Sequence, residues 1–163
     1  MKTAQPLMVM GTASGVGKSV LTTLICYSLF KRGYKVAPFK AQNLTSVYYS
    51  TPTGKMGKSQ AIQAWACGED PHPSMNPLLI NPLPQARLEV CLEGRNEGEF
   101  EWQVYREKVF PRAKEKIQES YERLAKGKDF IVIEGAGSPV EMNLRDTDLA
   151  NIYTSRITKA AIL

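Results

Sequence analysis

The sequence predicts an α/β fold, a mostly parallel sheet with helices on both faces, and three observations predict it. An apolar run, Leu7-Met8-Val9-Met10, leads into a glycine-rich segment that closes on Gly17-Lys18-Ser19. A helix-like pattern leaves that segment, with Val20, Leu21, Leu24, Ile25 and Leu29 on recurring faces. Much later, Phe130-Ile131-Val132-Ile133 is apolar throughout, as a strand buried on both faces must be. Strand, glycine-rich loop and helix form the setting in which a Walker A match carries meaning. The fold is therefore expected to be P-loop NTPase-like.

The loop itself names a ligand class. Glycines let the backbone turn tightly and approach phosphate oxygens with no Cβ in the way. Successive amide N–H groups then make an anion nest at the positive end of the following helix. Gly11, Thr12, Ser14, Gly15, Val16, Gly17, Lys18 and Ser19 are the candidate nucleotide-binding residues. Lys18 would reach the β/γ-phosphates and the Ser19 hydroxyl would bind Mg²⁺. Five residues separate Gly11 from Gly17, one more than the common pattern has, so this is a longer variant of the loop.

Composition narrows the remaining classes. With 163 residues the chain is long enough for one domain with its own core, and a single nucleotide-binding domain over residues 1–163 is expected. No apolar run approaches the roughly 20 residues of a membrane span, and no signal-peptide pattern precedes the first strand, so the cytoplasm is the expected location. Three scattered cysteines, Cys26, Cys67 and Cys91, form no Cys-x-x-Cys pair and no disulfide framework. The single histidine, His72, sits in a proline-flanked turn with no paired base. The net charge of +5 suits a polyanionic ligand, but no base-reading motif accompanies it, so no nucleic-acid partner is expected.

Taken in order, the first helix should stop at Lys31-Arg32-Gly33, where cations are followed by glycine. Residues 34–39 read as a second strand ending at Lys40, which completes a βαβ unit. That places Lys40 on the strand edge where ligands of open α/β sheets bind. Residues 41–55, rich in Ser, Thr, Asn and Tyr, read as loop, and residues 56–67 as helix. Residues 70–84 carry five prolines and read as an irregular connection. Leu88 to Leu92 alternates like a half-buried strand and ends at Glu93-Gly94. A long amphipathic helix follows over residues 101–126, with Tyr105, Val109, Ile117, Tyr121 and Leu124 inward and Pro111 marking a kink or a new start. The central strand at residue 130 ends in Glu134-Gly135-Ala136-Gly137-Ser138-Pro139, a carboxylate where a P-loop protein holds Mg²⁺. Arg145-Asp146-Thr147-Asp148 reads as a helix start, in which capping accounts for one aspartate. Ala160-Ala161-Ile162-Leu163 begins another strand, so the sequence is expected to be part of a longer protein.

Several segments together resemble one family, the amino-terminal domain of the cobyric acid synthases. They are Gly11-Thr12-x-Ser14-x-x-Gly17-Lys18-Ser19, Val36-Ala37-Pro38-Phe39-Lys40-x-Gln42-Asn43, Gln60-Ala61-x-Gln63-Ala64 and Met75-Asn76-Pro77-x-Leu79. Glu134 to Pro139 and Asn143-Leu144-Arg145-Asp146-x-Asp148-x-Ala150-Asn151 complete the set, which runs almost the whole length. The same superfamily holds dethiobiotin synthetase and the ParA/MinD ATPases. The resemblance implies an ATP-dependent carbon–nitrogen ligase that phosphorylates corrinoid carboxylates and amidates them with ammonia from a glutaminase domain. It implies ATP and Mg²⁺ as cofactors, Lys18, Lys40 and Glu134 as catalytic residues, and Ser19 and Glu134 as metal ligands. Gln42, Asn43, Asn143 and Asp146 match positions on the substrate side, and a homodimer is a further expectation.

The sequence departs from the family pattern in three places. An acidic loop of the form Asp-Gly-x-Glu-Ile-Gly-Arg-Ala-Gln reads here from Pro52 to Gln60, with Pro52 and Lys55 replacing the carboxylates. The family's Leu-Leu-Lys-Pro is Leu79-Ile80-Asn81-Pro82. The glutaminase nucleophile and its histidine are absent from these residues. A ParA/MinD-like ATP switch is the alternative from another class, although Thr12 and Ala13 occupy the place of that group's second lysine. A degenerate nucleotide-binding domain without turnover is the other.

Overall fold

A computed structural model describes residues 4–138 and 148–163. In chain order its first half runs through β1 (Gln5–Val9), α1 (Lys18–Lys31), β2 (Val36–Phe39), β3 (Gln42–Leu44), β4 (Tyr48–Thr51), β5 (Gly54–Gly57) and α2 (Lys58–Ala66). A 3₁₀ turn at Pro73–Met75 leads to β6 (Leu78–Leu83), β7 (Arg87–Leu92) and β8 (Arg95–Glu101). One helical path then holds α3 (Trp102–Val104), a π turn (Tyr105–Val109) and α4 (Phe110–Ala125), before β9 (Phe130–Glu134). A π turn at Leu149–Tyr153, α5 (Thr154–Thr158) and β10 (Ala161–Ile162) close the described residues.

Four strands make the main sheet in the order β10-β1-β9-β2, each pair parallel. The expected βαβ unit is present, but β9 lies between its two strands. Pleating sends alternate β9 side chains to opposite faces. Ile131 and Ile133 pack with Met8, Phe39, Tyr105, Val109 and Ile117 on the α4 side. Val132 turns the other way, to Cys26, Val36 and Cys67 beneath α1 and α2. This central strand therefore needs apolar residues at every position, and helices cover both faces.

The first helix does not bury the residues its apolar pattern suggests. Its inner stripe is Lys18, Thr22 and Cys26, with Ile25 and Leu29 partly covered, while Val20, Leu21 and Leu24 are exposed. Small side chains at positions four apart let α1 lie close to the sheet. In α2 likewise, Gln60, Ala61, Gln63 and Ala64 face inward and Ile62 and Trp65 outward.

Residues 41–55 and 70–84, expected as loop and irregular connection, carry strands, whereas the helix expected over residues 56–67 and the strand at Leu88 to Leu92 are present as α2 and β7. Strands β3, β6, β7 and β8 form a second sheet, parallel at β3–β6 and antiparallel beyond, and β4 and β5 form a hairpin. Pro82 is tolerated in β6 because β3 ends opposite Ile80, leaving an edge there. Pro111 marks a new start, that of α4. It sits in the first turn of α4, and the π turn before it absorbs the missing N–H. All three cysteines are free and buried. The Cys26 thiol is pushed far up by its hydrogen bond with Cys67 and by burial, so it stays protonated and unreactive. No helix among the described residues is long and apolar enough to cross a membrane.

The turn after β7 is tied to α4 through Glu93, which accepts hydrogen bonds from Ser120 Oγ and the Arg123 guanidinium. Burial alone would raise the Glu93 carboxyl, but those two hydrogen bonds and the Arg123 charge outweigh it and hold the group below its ordinary value. The folded state thus binds this proton less readily than the unfolded chain does. The resulting stability is present above the ordinary carboxylate value and is lost as pH falls through the lowered one. Arg123 is half exposed, so the contribution is expected to stay below about 1 kcal/mol. Thermal melts should show Glu93→Gln less stable than the parent at pH 7, with the gap closing in acid. An equal gap at both pH values would contradict the assignment.

Candidate nucleotide-binding site

The loop after β1 folds as its glycines require. Gly15 and Gly17 have φ of +77° and +98°, in the left-handed region that side chains disfavour. A Cβ at Gly11 would stand 2.7 Å from Val16 Cγ2 and 3.2 Å from the Lys18 chain. The N-terminus of α1 has no side-chain cap and no acidic residue in its first turn. Its orphan N–H groups and positive dipole end therefore face a cavity of about 430 Å³. Lys18 is nine-tenths buried, and its Nζ donates to Ala13 O at 2.7 Å and Gly137 O at 2.9 Å. The ammonium thus spans the gap between the loop and the turn after β9.

Opposite the loop stands Glu134, 1% exposed at the tip of β9. Its Oε1 accepts from Lys40 Nζ at 2.7 Å and Ser19 Oγ at 2.8 Å. Its Oε2 accepts from Gln60 Nε2 at 3.1 Å and Gln63 Nε2 at 2.5 Å. A buried carboxylate needs this full complement, because its desolvation costs several kcal/mol. Gln63 Oε1 has no partner among the described residues. That orphan is tolerated because the reverse amide orientation would set two oxygens face to face.

Amide side chains fix the backbone around this pair. Asn76, buried, donates to Lys40 O at 2.9 Å and accepts from Gly57 N at 2.8 Å. Gly57 is required there, since a Cβ would lie 2.4 Å from both Asn43 Nδ2 and Gln60 Oε1. Asn151 does the same for the turn after β9. Its Nδ2 donates to Ala136 O at 2.7 Å, and its Oδ1 accepts from Ala136 N at 3.1 Å. A Cβ at Gly135 would stand 2.3 Å from Asn151 Oδ1. Asp148 caps the turn below by accepting from Asn151 N at 2.8 Å.

The structure brings most of the expected residues to one edge. Ser14, Gly15, Gly17, Lys18, Ser19, Lys40, Asn43 and Glu134 line the cavity. Gly11, Thr12 and Val16 shape the loop without forming its wall. Asn43 also donates to Gln60 Oε1 at 3.1 Å, and Gln42 lines a neighbouring cavity. Asn143 and Asp146 lie outside the described residues. Sequence reasoning quoted Gln60, Gln63, Asn76 and Asn151 in its motifs but gave them no task. The signal for the glutamines was two polar residues three apart among alanines on one helix face.

The donor set fits a hard cation. Ser19 Oγ and Glu134 Oε1 are oxygens 2.8 Å apart at the mouth of the phosphate cavity. No cluster of three or more His, Cys, Asp or Glu side chains suited to a metal exists among the described residues. Such a pair suits Mg²⁺, which takes one or two protein oxygens and completes its shell with phosphate and water.

Comparison with known proteins agrees with this geometry. Residues 7–133 match the CbiA family, the CobQ/CobB/MinD/ParA nucleotide binding domain. The chain is 47% identical over 158 residues to the cobyric acid synthase of Syntrophobacter fumaroxidans, covering 96% of this chain and 30% of that protein. It is 42% identical over 161 residues to the enzyme of the same name from Carboxydothermus hydrogenoformans, with 98% and 32% covered. A third, from Nostoc punctiforme, is 42% identical over 155 residues, with 94% and 31% covered. The chain thus spans about a third of the length of the curated relatives it matches. With the phosphate loop, Lys40 and Glu134 all inside or beside the matched stretch, the chain belongs to the CobQ/CobB/MinD/ParA nucleotide-binding domain family.

Proposed function

We propose that this chain is the ATP-binding synthetase part of an amide-forming ligase acting on corrinoid carboxylates. The observation that carries the reading is Glu134, held by Lys40, Ser19, Gln60 and Gln63 directly across from the phosphate loop. The names of the relatives supply the product class, cobyric acid.

In this reading a carboxylate oxygen of the acceptor attacks the γ-phosphorus of ATP. The bond to the β–γ bridging oxygen breaks, giving an acyl phosphate and ADP. Ammonia, released from glutamine by a glutaminase domain, then attacks the acyl carbon, loses a proton and expels phosphate to leave the amide. The loop amides and the Lys18 ammonium would hold the phosphates and balance their charge. Lys40 lines the same cavity, and its ammonium would steady both the carboxylate and the acyl phosphate. Mg²⁺, held by Ser19 and Glu134, would neutralise phosphate charge. Gln60 and Gln63 act through Glu134 and are positioning residues.

Nucleotide titration tests the core of the reading. Lys18→Ala should weaken ATP binding about tenfold or more, since it removes a charge-assisted contact to the phosphates. Unchanged affinity in a folded variant would remove the loop from the site. The glutamine clamp has its own signature. Gln63→Leu should cost roughly 1–3 kcal/mol of stability by leaving Glu134 short of a donor. It should also shrink the Mg²⁺-dependent gain in ATP affinity while leaving the Mg²⁺-free affinity as it was. Loss of stability with the Mg²⁺ effect intact would reduce Gln63 to a structural part.

A further inference from the structure

A cavity of about 480 Å³ that shares no lining residue with the nucleotide site opens between the β4–β5 turn, the 3₁₀ turn, the β7–β8 turn and α4. Arg112, Lys116 and Arg123 line it from α4, at successive intervals of four and seven residues that keep them on one stripe of the helix. Arg95 lines it from the start of β8, and the carboxylates of Glu93 and Glu97 complete its charged groups. Four cations therefore meet two carboxylates, and both carboxylates are engaged. Glu97 accepts from Arg112 at 3.0 Å, and Glu93 accepts from Arg123 and from Ser120 Oγ. Lys116 pairs with Glu119 at 2.7 Å, an exposed i,i+3 pair of the kind that contributes little. We propose that this cavity is a second anion site, which takes a small molecule carrying two or more negative charges on phosphate or carboxylate oxygens.

The donors present select that ligand class. A concave wall with an excess of one charge focuses its field on the space it encloses and concentrates ions of the opposite sign there. Arg123 spends a single nitrogen, Nη2, on Glu93, Ser74 Oγ and Ser120 Oγ, which leaves its other N–H groups for a ligand. A guanidinium fork meets carboxylate or phosphate oxygens two at a time, and the Lys116 ammonium adds a point charge. His72 Nδ1 accepts from Ser74 N at 3.2 Å, so the neutral ring carries its proton on Nε2 and is a further donor. The walls are also fastened to one another. Gly94 O accepts from Lys55 N at 2.9 Å, and a Cβ at Gly94 would stand 2.7 Å from Pro73 Cγ. Glu93 N donates to Pro77 O at 2.7 Å, while its carboxylate reaches α4. Hairpin, 3₁₀ turn, β7–β8 turn and helix thus close on one another through the residues that carry the charges. At 480 Å³ the space lies within the roughly 300–1,000 Å³ of small-molecule sites, which admits a carbon skeleton between two anionic ends.

Inorganic phosphate and succinate are the probes, each titrated into the ¹⁵N-labelled chain at about 150 mM salt, which screens diffuse surface charge. Saturating ADP keeps the phosphate loop filled throughout. The amide signals of Ser74, Arg95 and Lys116 should shift and saturate with at least one probe. Arg95→Ala and Lys116→Ala should each weaken that binding about fivefold or more and leave the ADP dissociation constant within about twofold, with thermal melts confirming that both are folded. Arg32→Ala, which removes an equal charge at the far end of α1, should change neither. Tighter binding of phosphate assigns the site to phosphate esters, and tighter binding of succinate assigns it to dicarboxylates. Shifts that climb without saturating, or saturable binding undiminished in both folded variants, overturn the site. Either result leaves the ligase reading where it stands, because none of its residues line this cavity.

Discussion

One buried charge organises the carboxyl edge of the main sheet. Glu134 ends the central strand with its carboxylate almost wholly removed from water, and four donors from α1, β2's end and α2 converge on it. Breaking a buried pair by removing one partner is strongly destabilising, because the remaining charge is left uncompensated. Each donor is therefore fixed in place by the others' need for it. The same bonds that satisfy the charge set the position of α2 against the sheet, the rotamer of Ser19 at the mouth of α1, and the ammonium of Lys40. Structure and site share one interaction.

Around that charge, glycines and side-chain amides work in pairs. Gly57 makes room where Asn43, Gln60 and Asn76 meet, and Gly135 makes room for Asn151. Asparagine carries a donor and an acceptor in the spacing of a peptide group, so it can continue a backbone ladder where no strand runs. Asn76 does this for Lys40 and Gly57, and Asn151 does it for Ala136. The turn that receives Lys18 at Gly137 is thereby anchored one residue earlier. Rigid placement of loop segments is what the phosphoryl transfer proposed above would need, because positioning supplies most of such catalysis.

What the sequence disclosed follows the strength of its local signals. The phosphate loop was legible because its chemistry demands glycines, a lysine and a hydroxyl at set spacings. The strands beside it were legible because burial on both faces demands unbroken apolar runs. Of the second sheet only β7 was legible, through the alternation of Leu88 to Leu92. Gln42 to Leu44 is three residues of mixed polarity, and Tyr48 to Thr51 alternates weakly on a small hairpin. The first pairs with a strand far along the chain, Gln42 on Leu78, while the second pairs only with its hairpin neighbour β5. Prolines near β6 argued against a strand, yet the edge beyond Ile80 accommodates Pro82. Faces of α1 and α2 were misread for a related reason. The contacts there select small or hydrogen-bonding side chains, so Thr22, Cys26, Gln60 and Gln63 lie inside while Leu24 and Ile62 lie outside.

The departures at Pro52, Lys55 and Asn81 bear on presentation rather than on architecture. The β4–β5 hairpin docks through backbone, with Lys55 N donating to Gly94 O at 2.9 Å and Gly54 packed on Gly94 without room for a Cβ. Those contacts are indifferent to the side chains at 52 and 55. Lys55 itself lies over the Tyr48 ring, 4.3 Å from its centroid, and Pro52 is exposed at the hairpin turn. Asn81 donates to Glu89 at 3.0 Å across β6 and β7. By strand alternation that pair occupies the opposite face from Ile80 and Leu88. None of the three supplies a donor to Glu134, whose partners are an ammonium, a hydroxyl and two amides. The replaced positions change the charge that the hairpin and the second sheet show to their surroundings, while the phosphate loop, Lys40 and Glu134 keep a geometry that does not pass through them.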